Sequence, residues 1–405
     1  MATAVSTETI QAQELRGAKD LRQVTRTVQA PLDDEVQIAM RATTLCGSDL
    51  HYFTYYRNGD FCIREPLSPG HECAGLVVAV GSKAEQQYGV KLGDKVAVEV
   101  GVPCDDCEQC LDGNYNVCEK LRFRSSATCF PHYQGTLQQR FNHPAKWVHK
   151  LPEGISYAEG ALLEPLAVAI HAVRKANAKQ GASCLIVGTG AVGLLCAAVA
   201  KSSGYSNIVM ADIIQNRLDF ALSNGFADKV VRLPSRRAKD IEQGLAFAKQ
   251  DAMNLRKEND GNAFSRVFEC TGIEACVRTS IYVSASLSKP VSLSRVQLIT
   301  RWDEQATRNG GKVLLIGMGT PIQTLPISSA ALREVDLVGV WRYANCYPHG
   351  IELMQRAGKG GVPDVRKLIT HRFRGLGQSL EAFDMAAKTC DHNGNLVIKV
   401  VVENE

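Results

Sequence analysis

"CLIVGTGAVGLLCAAVAKSSG", residues 184–204, joins four apolar residues to a glycine-rich turn and then to a long apolar run. Gly188, Gly190 and Gly193 stand as G-x-G-x-x-G directly after a predicted strand and at the opening of a predicted helix. Glycines in that context let the backbone approach a pyrophosphate, which sits where the free N–H groups of the helix N-terminus point outward. The next apolar run, "SNIVMADI", ends on Asp212, nineteen residues beyond Gly193. An acid at that place bonds both hydroxyls of an adenosine ribose, and its charge repels a 2′-phosphate, so the expected cofactor is NAD rather than NADP. Arg217, five residues further on, either stacks on the adenine or is a solvated helix residue.

Outward from this turn the chain alternates. "NRLDFALSNG" (216–225) reads as a helix, "KVVRL" (229–233) as a strand, and Ser235 to about Asn259 as a long helix. "SRVFECTG" (265–272) and "GKVLLIGMG" (311–319) read as further strands. Such alternation predicts an α/β doubly wound parallel sheet over 166–342. Upstream, from about residue 20 to 150, short β-branched runs broken by turns ("EVQIAMRATTL", "AGLVVAVGS", "DKVAVEVGVP", "KWVHKLP") predict a compact, mostly-β unit within 1–165. The last apolar run, "NLVIKVVVE" (395–403), is expected to return to that unit, so that 343–405 completes it.

With 405 residues, 45% apolar and 22% charged, the chain is long enough for two or three globular domains. A net charge of +4 from scattered residues gives no support to nucleic-acid or membrane-surface binding. No apolar run approaches the ~18 residues of a membrane span. "MATAVSTETIQAQELRG" carries Glu8 and Glu14 and no long apolar core, so no secretory leader is expected, with a mitochondrial transit peptide as the remaining alternative. A cytoplasmic location follows, in which fourteen cysteines argue for metal binding or burial over disulfides.

Four of those cysteines, Cys104, Cys107, Cys110 and Cys118, form C-x2-C-x2-C-x7-C in "GVPCDDCEQCLDGNYNVCEK". The spacing lets one loop wrap its sulfurs around a single ion, and Zn2+ accepts four thiolates tetrahedrally. Asp112, Gly113, Asn114 and Asn116 supply the turns. An iron–sulfur cluster and a solvent loop of free thiols are the alternatives. A site filled by four protein ligands is structural. Two further stretches set a metal ligand beside a glycine: Cys46 in "TTLCGSDLHYF", and His71 with Glu72 in "SPGHECAG". Cys and His with a carboxylate or water make an open, catalytic type of zinc site. His71 and Glu72 are adjacent, so both reach one ion only where the strand end bends. Taken singly, Cys46 reads as a core thiol and His71 as a satisfied loop histidine.

Taken together, "CGSDLHY", "PGHECAG", the four-cysteine loop, "GALLEPLAVAIHA", "GTGAVG", "FECTG" and "GVWRYANCYP" resemble the zinc-dependent medium-chain dehydrogenases, and within them the polyol branch typified by sorbitol dehydrogenases. The resemblance runs from about residue 20 to 403, apart from 283–305. It implies a GroES-like catalytic domain with a Rossmann domain, commonly as a homo-tetramer, two zinc ions per chain, NAD, and a small polyol as substrate. It also implies Cys46, His71 and Glu72 as catalytic zinc ligands, with Glu164 of "LLEPLAV" reaching the metal directly or through water. Gly188, Gly190, Val192, Gly193, Asp212, Arg217, Gly317, Met318 and Val340 match cofactor contacts, and Tyr52, Arg342 and Tyr343 match a polyol pocket. Ser48 is the first member of a proton relay, which His51 either continues or merely flanks. The expected reaction is oxidation of a secondary hydroxyl of sorbitol, xylitol or L-arabinitol to a ketose. A dehydrogenase for another secondary alcohol and a non-catalytic NAD-binding protein are the alternatives.

Three features depart from the pattern. Tyr55 and Tyr56 stand where smaller or more polar residues are common, and Cys73 where serine is usual. The third is "VSASLSKPVSLSRVQLITRWDEQ", 283–305, which has no clean period and interrupts the helix "EACVRTSIY" and the strand that follows. Its 23 residues are in frame; the opening Val-Ser suits a GT-AGT donor and the closing Gln an AG acceptor. The segment is read as a translated, unspliced intron, whose product is a mis-spliced and inactive form, or as a genuine surface loop.

Overall fold

A computed structural model describes residues 7–284 and 310–405. Its contacts divide the chain into two units, the first of residues 1–168, 342–357 and 365–405, the second of 169–341 and 358–364.

The first unit is built on a seven-stranded sheet. Its order is Val148–Lys150, Lys95–Val98, Glu72–Val80, Glu35–Thr44, Lys399–Glu403 and Ile369–Arg374, with Arg140–Pro144 also paired to Glu35–Thr44. Glu35–Thr44 is central because nearly every one of its residues is buried, as a strand covered on both faces requires. The C-terminal strand Lys399–Glu403 returns to it antiparallel, Val401 opposite Thr44. The return carries Lys399 into the interior, 4% exposed. A strand earlier than the sequence suggests, Thr7–Gly17, pairs along its length with Asp20–Gln29. Its mixed composition hides the period, yet Ile10, Ala12 and Leu15 are buried.

The second unit is a six-stranded parallel sheet in the order Lys229–Arg232, Ile208–Asp212, Cys184–Val187, Arg266–Glu269, Lys312–Leu315, Asp336–Gly339. The order turns back on itself beside Cys184–Val187, whose C-terminal end carries the glycine turn; ligands of such sheets bind at that switch point. Strand residues Leu185, Val209, Val267 and Val313 share one core with Leu255, Val277 and Ile281 of the helices. The long helix begins at Ile241, later than the sequence suggests, because Asp240 caps it by accepting from the Gln243 N–H at 2.8 Å. Helix Glu274–Ser284 continues through Val283 and Ser284, both buried, whereas 285–305 of the expected insertion lie outside the described residues.

Candidate active site and metal centres

Helix Gly47–Tyr55 starts directly after Cys46 and holds that residue through Asp49, whose Oδ2 accepts the Cys46 N–H at 3.1 Å. Asp49 is fully buried, and its other oxygen accepts from the Gly70 N–H and from Ser125 Oγ, each at 3.0 Å. The same oxygen lies 3.4 Å from His71 Nδ1. That contact leaves Nε2, 3.5 Å from Ser48 Oγ, as the nitrogen available to an ion. Burial disfavours the imidazolium, but the neighbouring Asp49 overcomes it and holds His71 well above its ordinary range. His71 precedes the strand Glu72–Val80 instead of lying within it, which frees it from the strict alternation that would separate it from Glu72.

One donor atom each from Cys46, His71 and Glu72 lie within 4.8 Å of one another. A soft sulfur, an imidazole and a carboxylate converging in this way suit zinc with an open position. Glu72 is also claimed from another side: both its oxygens contact Lys399 Nζ, and Thr44 Oγ1 donates to one of them. Lys399 donates to Leu45 O as well, at 3.0 Å. Burial works against this ammonium, yet Glu72 and Cys46 hold its pKa above the usual value. Glu164, second in the helix Leu163–Ala176, stands outside the 4.8 Å set. Burial, with Glu72 adding its charge, pushes its carboxyl up to about 7.

The polyol-pocket candidates sit in the same unit. Tyr52 is buried and its hydroxyl accepts the Ala127 N–H at 3.1 Å. Arg342 lies 3.8 Å over the Phe123 ring and donates to Ser126 Oγ at 3.2 Å; burial lowers its pKa to about 10. Tyr343 is 3% exposed, and burial beside the Glu164 carboxylate holds its hydroxyl well above the ordinary phenol range. His51 and Tyr55 are exposed and meet edge to face. Tyr56 closes the helix in a left-handed conformation, and Cys73 is a core thiol that burial pushes up to about 12.

Cys104, Cys107, Cys110 and Cys118 converge as the spacing predicts, with S···S distances of 3.4, 3.5 and 3.9 Å. Bonds of ~2.3 Å to a tetrahedral zinc require sulfurs about 3.8 Å apart. The set fits that ion and leaves no position open. The Cys110 N–H draws the Cys107 thiol down to about 7, while burial pushes the Cys110 thiol up to about 12.

In the second unit Gly188 has φ +98°, and a Cβ on Gly193 would lie 1.9 Å from the Gly188 carbonyl oxygen. Val192 lies in the first turn of the helix Ala191–Ser202. Asp212 ends its strand with Oδ2 accepting from the N–H and hydroxyl of Thr189, each at 2.7 Å, and Oδ1 from the Ile214 N–H. The Arg217 Nε is buried without a hydrogen-bond partner among the described residues. Gly317 and Met318 follow the strand Lys312–Leu315, where a Cβ on Gly317 would lie 2.0 Å from the Gly272 nitrogen; the Val340 N–H donates to Leu315 O.

Sequence reasoning assigned no role to Asp49, Lys399, Phe123, Ser126 or Glu269. Glu269, buried at the end of its strand, accepts from Thr271 and from the Gly272 N–H and so shapes the turn facing Gly317. An acid within "VFECTG" and a lysine within "VIKVVV" were the available signals, since charges in apolar strands are buried only with partners.

Residues 32–153 match the alcohol dehydrogenase GroES-like domain. A sorbitol dehydrogenase of Arabidopsis thaliana is 35% identical over 368 residues, 91% of this chain and 88% of that one. An L-arabinitol 4-dehydrogenase of Aureobasidium melanogenum is 35% identical over 354 residues, 87% of this chain and 84% of that one. Among solved structures, an Escherichia coli oxidoreductase of unknown specificity matches with a TM-score of 0.78 at 28% identity, covering 98% of this chain and 100% of its own.

Proposed function

The chain belongs to the polyol branch of the zinc-dependent medium-chain dehydrogenases, oxidoreductases of CH–OH groups, and from that premise we propose that it oxidises a secondary hydroxyl of sorbitol, xylitol or L-arabinitol to a ketose with NAD as hydride acceptor. The observation that carries the substrate class is a polar group of side chains reached through Phe123, whose ring lies 5.7 Å from that of His71 and under the Arg342 guanidinium. A half-buried Arg342 fork, the hydroxyl-bearing Ser126 and Tyr52, and the buried Tyr343 hydroxyl offer a polyol several hydrogen bonds that a simple alcohol leaves unmade. Arg342 and Tyr343 orient the non-reacting hydroxyls, and Ser48, 3.5 Å from His71, is the first member of a relay that takes up the proton released from the reacting one while passing its own outward to solvent. Cys46 and His71 with Glu72 would hold a zinc ion, which would supply there the Lewis acidity that acidifies a hydroxyl. Glu164, with its raised carboxyl, bears on this metal directly or through water. Cys104, Cys107, Cys110 and Cys118 would hold a second zinc ion, whose part would be to fix their loop.

Cofactor choice rests on Asp212. A carboxylate at the end of that strand favours free ribose hydroxyls and repels a 2′-phosphate. Gly188, Gly190, Val192 and Gly193 receive the pyrophosphate side, and Arg217, Gly317, Met318 and Val340 the remainder of the dinucleotide. A homo-tetramer in the cytoplasm completes this reading; among the described residues no helix is long and apolar enough to cross a membrane.

The test is reduction of NAD+ and NADP+ by the zinc-loaded chain with sorbitol, xylitol, L-arabinitol and 2-propanol. The expected result is activity with at least one polyol, weak activity with 2-propanol, and preference for NAD+. A folded, zinc-loaded chain that is silent on every polyol, both intact and lacking 283–305, overturns the proposal.

A further inference from the structure

The four-cysteine loop and the polyol turn touch each other within the first unit. Between Cys110 and Cys118 the loop presents the Gly113 carbonyl, which accepts from Asn345 Nδ2 at 2.9 Å. Two residues later the Tyr115 hydroxyl accepts the Asn345 backbone N–H at 2.6 Å and donates to the buried carboxylate of Glu99 at 2.6 Å. The other oxygen of Glu99 meets His149 Nε2 at 2.8 Å. Tyr115 also packs against Trp147, ring centroids 4.8 Å apart, and Ala344 belongs to the same small cluster, with Cys110 against its edge.

The turn so gripped is a demanding one. Arg342 has φ +52° and Asn345 φ +57°, left-handed conformations that side chains other than glycine adopt only where the surroundings impose them. Tyr343 and Ala344, between them, are buried. Nothing in the sequence of 342–345 selects this conformation, and Asn345, whose short amide tolerates it, is the residue the loop holds twice.

We infer that the four-cysteine loop is a brace for polyol recognition: through Tyr115 and Gly113 it fixes Asn345 and thereby sets the Arg342–Tyr343 turn that binds the substrate's further hydroxyls. Tyr115 and Asn345 are positioning residues, and the metal of the loop acts on binding without meeting the substrate. The inference rests on the polyol reading for what the turn binds, and on geometry alone for what holds the turn.

The experiment compares the full zinc-loaded chain with Tyr115→Phe, which keeps the ring and removes the hydroxyl, and with Cys107→Ser, which opens the metal loop. Hydrogen–deuterium exchange is followed over peptides covering 342–346, and kinetics are measured with sorbitol, xylitol and L-arabinitol. Both variants are expected to exchange faster at 342–346. Tyr115→Phe is expected to raise the polyol KM by roughly three- to tenfold, the worth of one to two hydrogen bonds, with kcat and the KM for NAD+ within twofold. A loop that only stabilises the fold would lower the active fraction and leave the polyol KM alone. Unchanged exchange at 342–346 in both variants, with faster exchange confined to 104–118 in Cys107→Ser, overturns the brace. Where neither the unaltered chain nor one lacking 283–305 oxidises a polyol, the functional reading fails by itself, and the exchange at 342–346 alone decides the brace.

Discussion

Lys399 donates to the Glu72 carboxylate from a strand more than three hundred residues away, and the two form a nearly water-free ion pair beside Cys46. Removing one partner of such a pair strands the other, which costs about 3–5 kcal/mol. In Lys399→Met the stranded group is the Glu72 carboxylate, and a zinc ion at Cys46 and His71 can supply the missing positive charge. The expected outcome is a large loss of stability in the metal-free chain and a clearly smaller loss in the zinc-loaded one. Denaturant midpoints with and without zinc measure it, and equal losses in both states would show that Glu72 does not turn to the metal. At this scale the sequence is legible only in part. Cys46, His71 and Glu72 announce themselves by glycine-flanked motifs, and their convergence within 4.8 Å follows. Asp49 and Lys399 were legible as residues but not as partners, because what makes them functional is a meeting in space with no trace in local spacing.

Among the elements, the glycine turn after Cys184–Val187 separates two roles that one motif conceals. A methyl on Gly193 would meet the Gly188 carbonyl oxygen at 1.9 Å, a backbone atom that no rotamer change can move aside. A methyl on Gly190 meets nothing within 4 Å among the described residues and intrudes on whatever approaches the turn. Gly193→Ala is therefore expected to destabilise the second unit by more than about 3 kcal/mol. Gly190→Ala is expected to melt like the unaltered chain and to bind NAD at least tenfold more weakly. Thermal melts and NAD titration of the pair decide this; a stable Gly193→Ala chain, or a Gly190→Ala chain with ordinary NAD affinity, contradicts the assignment. The strand–turn–helix was readable because an apolar run, three glycines and a following acid all point to one geometry. The strand Thr7–Gly17 was not, because its stability comes from pairing with Asp20–Gln29 and its composition alternates too irregularly to show a buried face. The long helix was misjudged at its start only, where the Asp240 cap outweighs the polar run before it.

For the whole molecule, the order of the parallel sheet and the return of Lys399–Glu403 follow from patterns along the chain, and the remaining question is the interrupted stretch. Val283 and Ser284 belong to the helix: both are buried, and the Ser284 hydroxyl donates to Ser280 O at 2.8 Å. A Cβ placed on Gly311, just before the next strand, would lie 3.2 Å from the Ser284 carbonyl oxygen. The chain thus leaves the helix and enters the strand at neighbouring points, and a short link suffices to join them. Deleting 285–305 shortens the 25-residue link 285–309 to the four residues 306–309. Loop closure then becomes cheaper by about 1.5 kcal/mol at ~0.6 kcal/mol per halving. Deleting 283–305 instead puts Ala306 in the buried place of Val283, which costs about 2 kcal/mol and cancels that gain. The expected order of denaturant midpoints is the 285–305 deletion highest, with the intact chain and the 283–305 deletion below it and close together. NAD-dependent polyol oxidation by the 285–305 deletion is expected to equal that of the intact chain where the segment is a loop, and to exceed it where the segment is a retained intron. A 285–305 deletion that unfolds before the intact chain would mean that the segment contributes stability of its own, and the intron reading would fall with it. Mature transcripts lacking those codons, together with a fully active shortened chain, would identify the uninterrupted helix–strand connection as the native one.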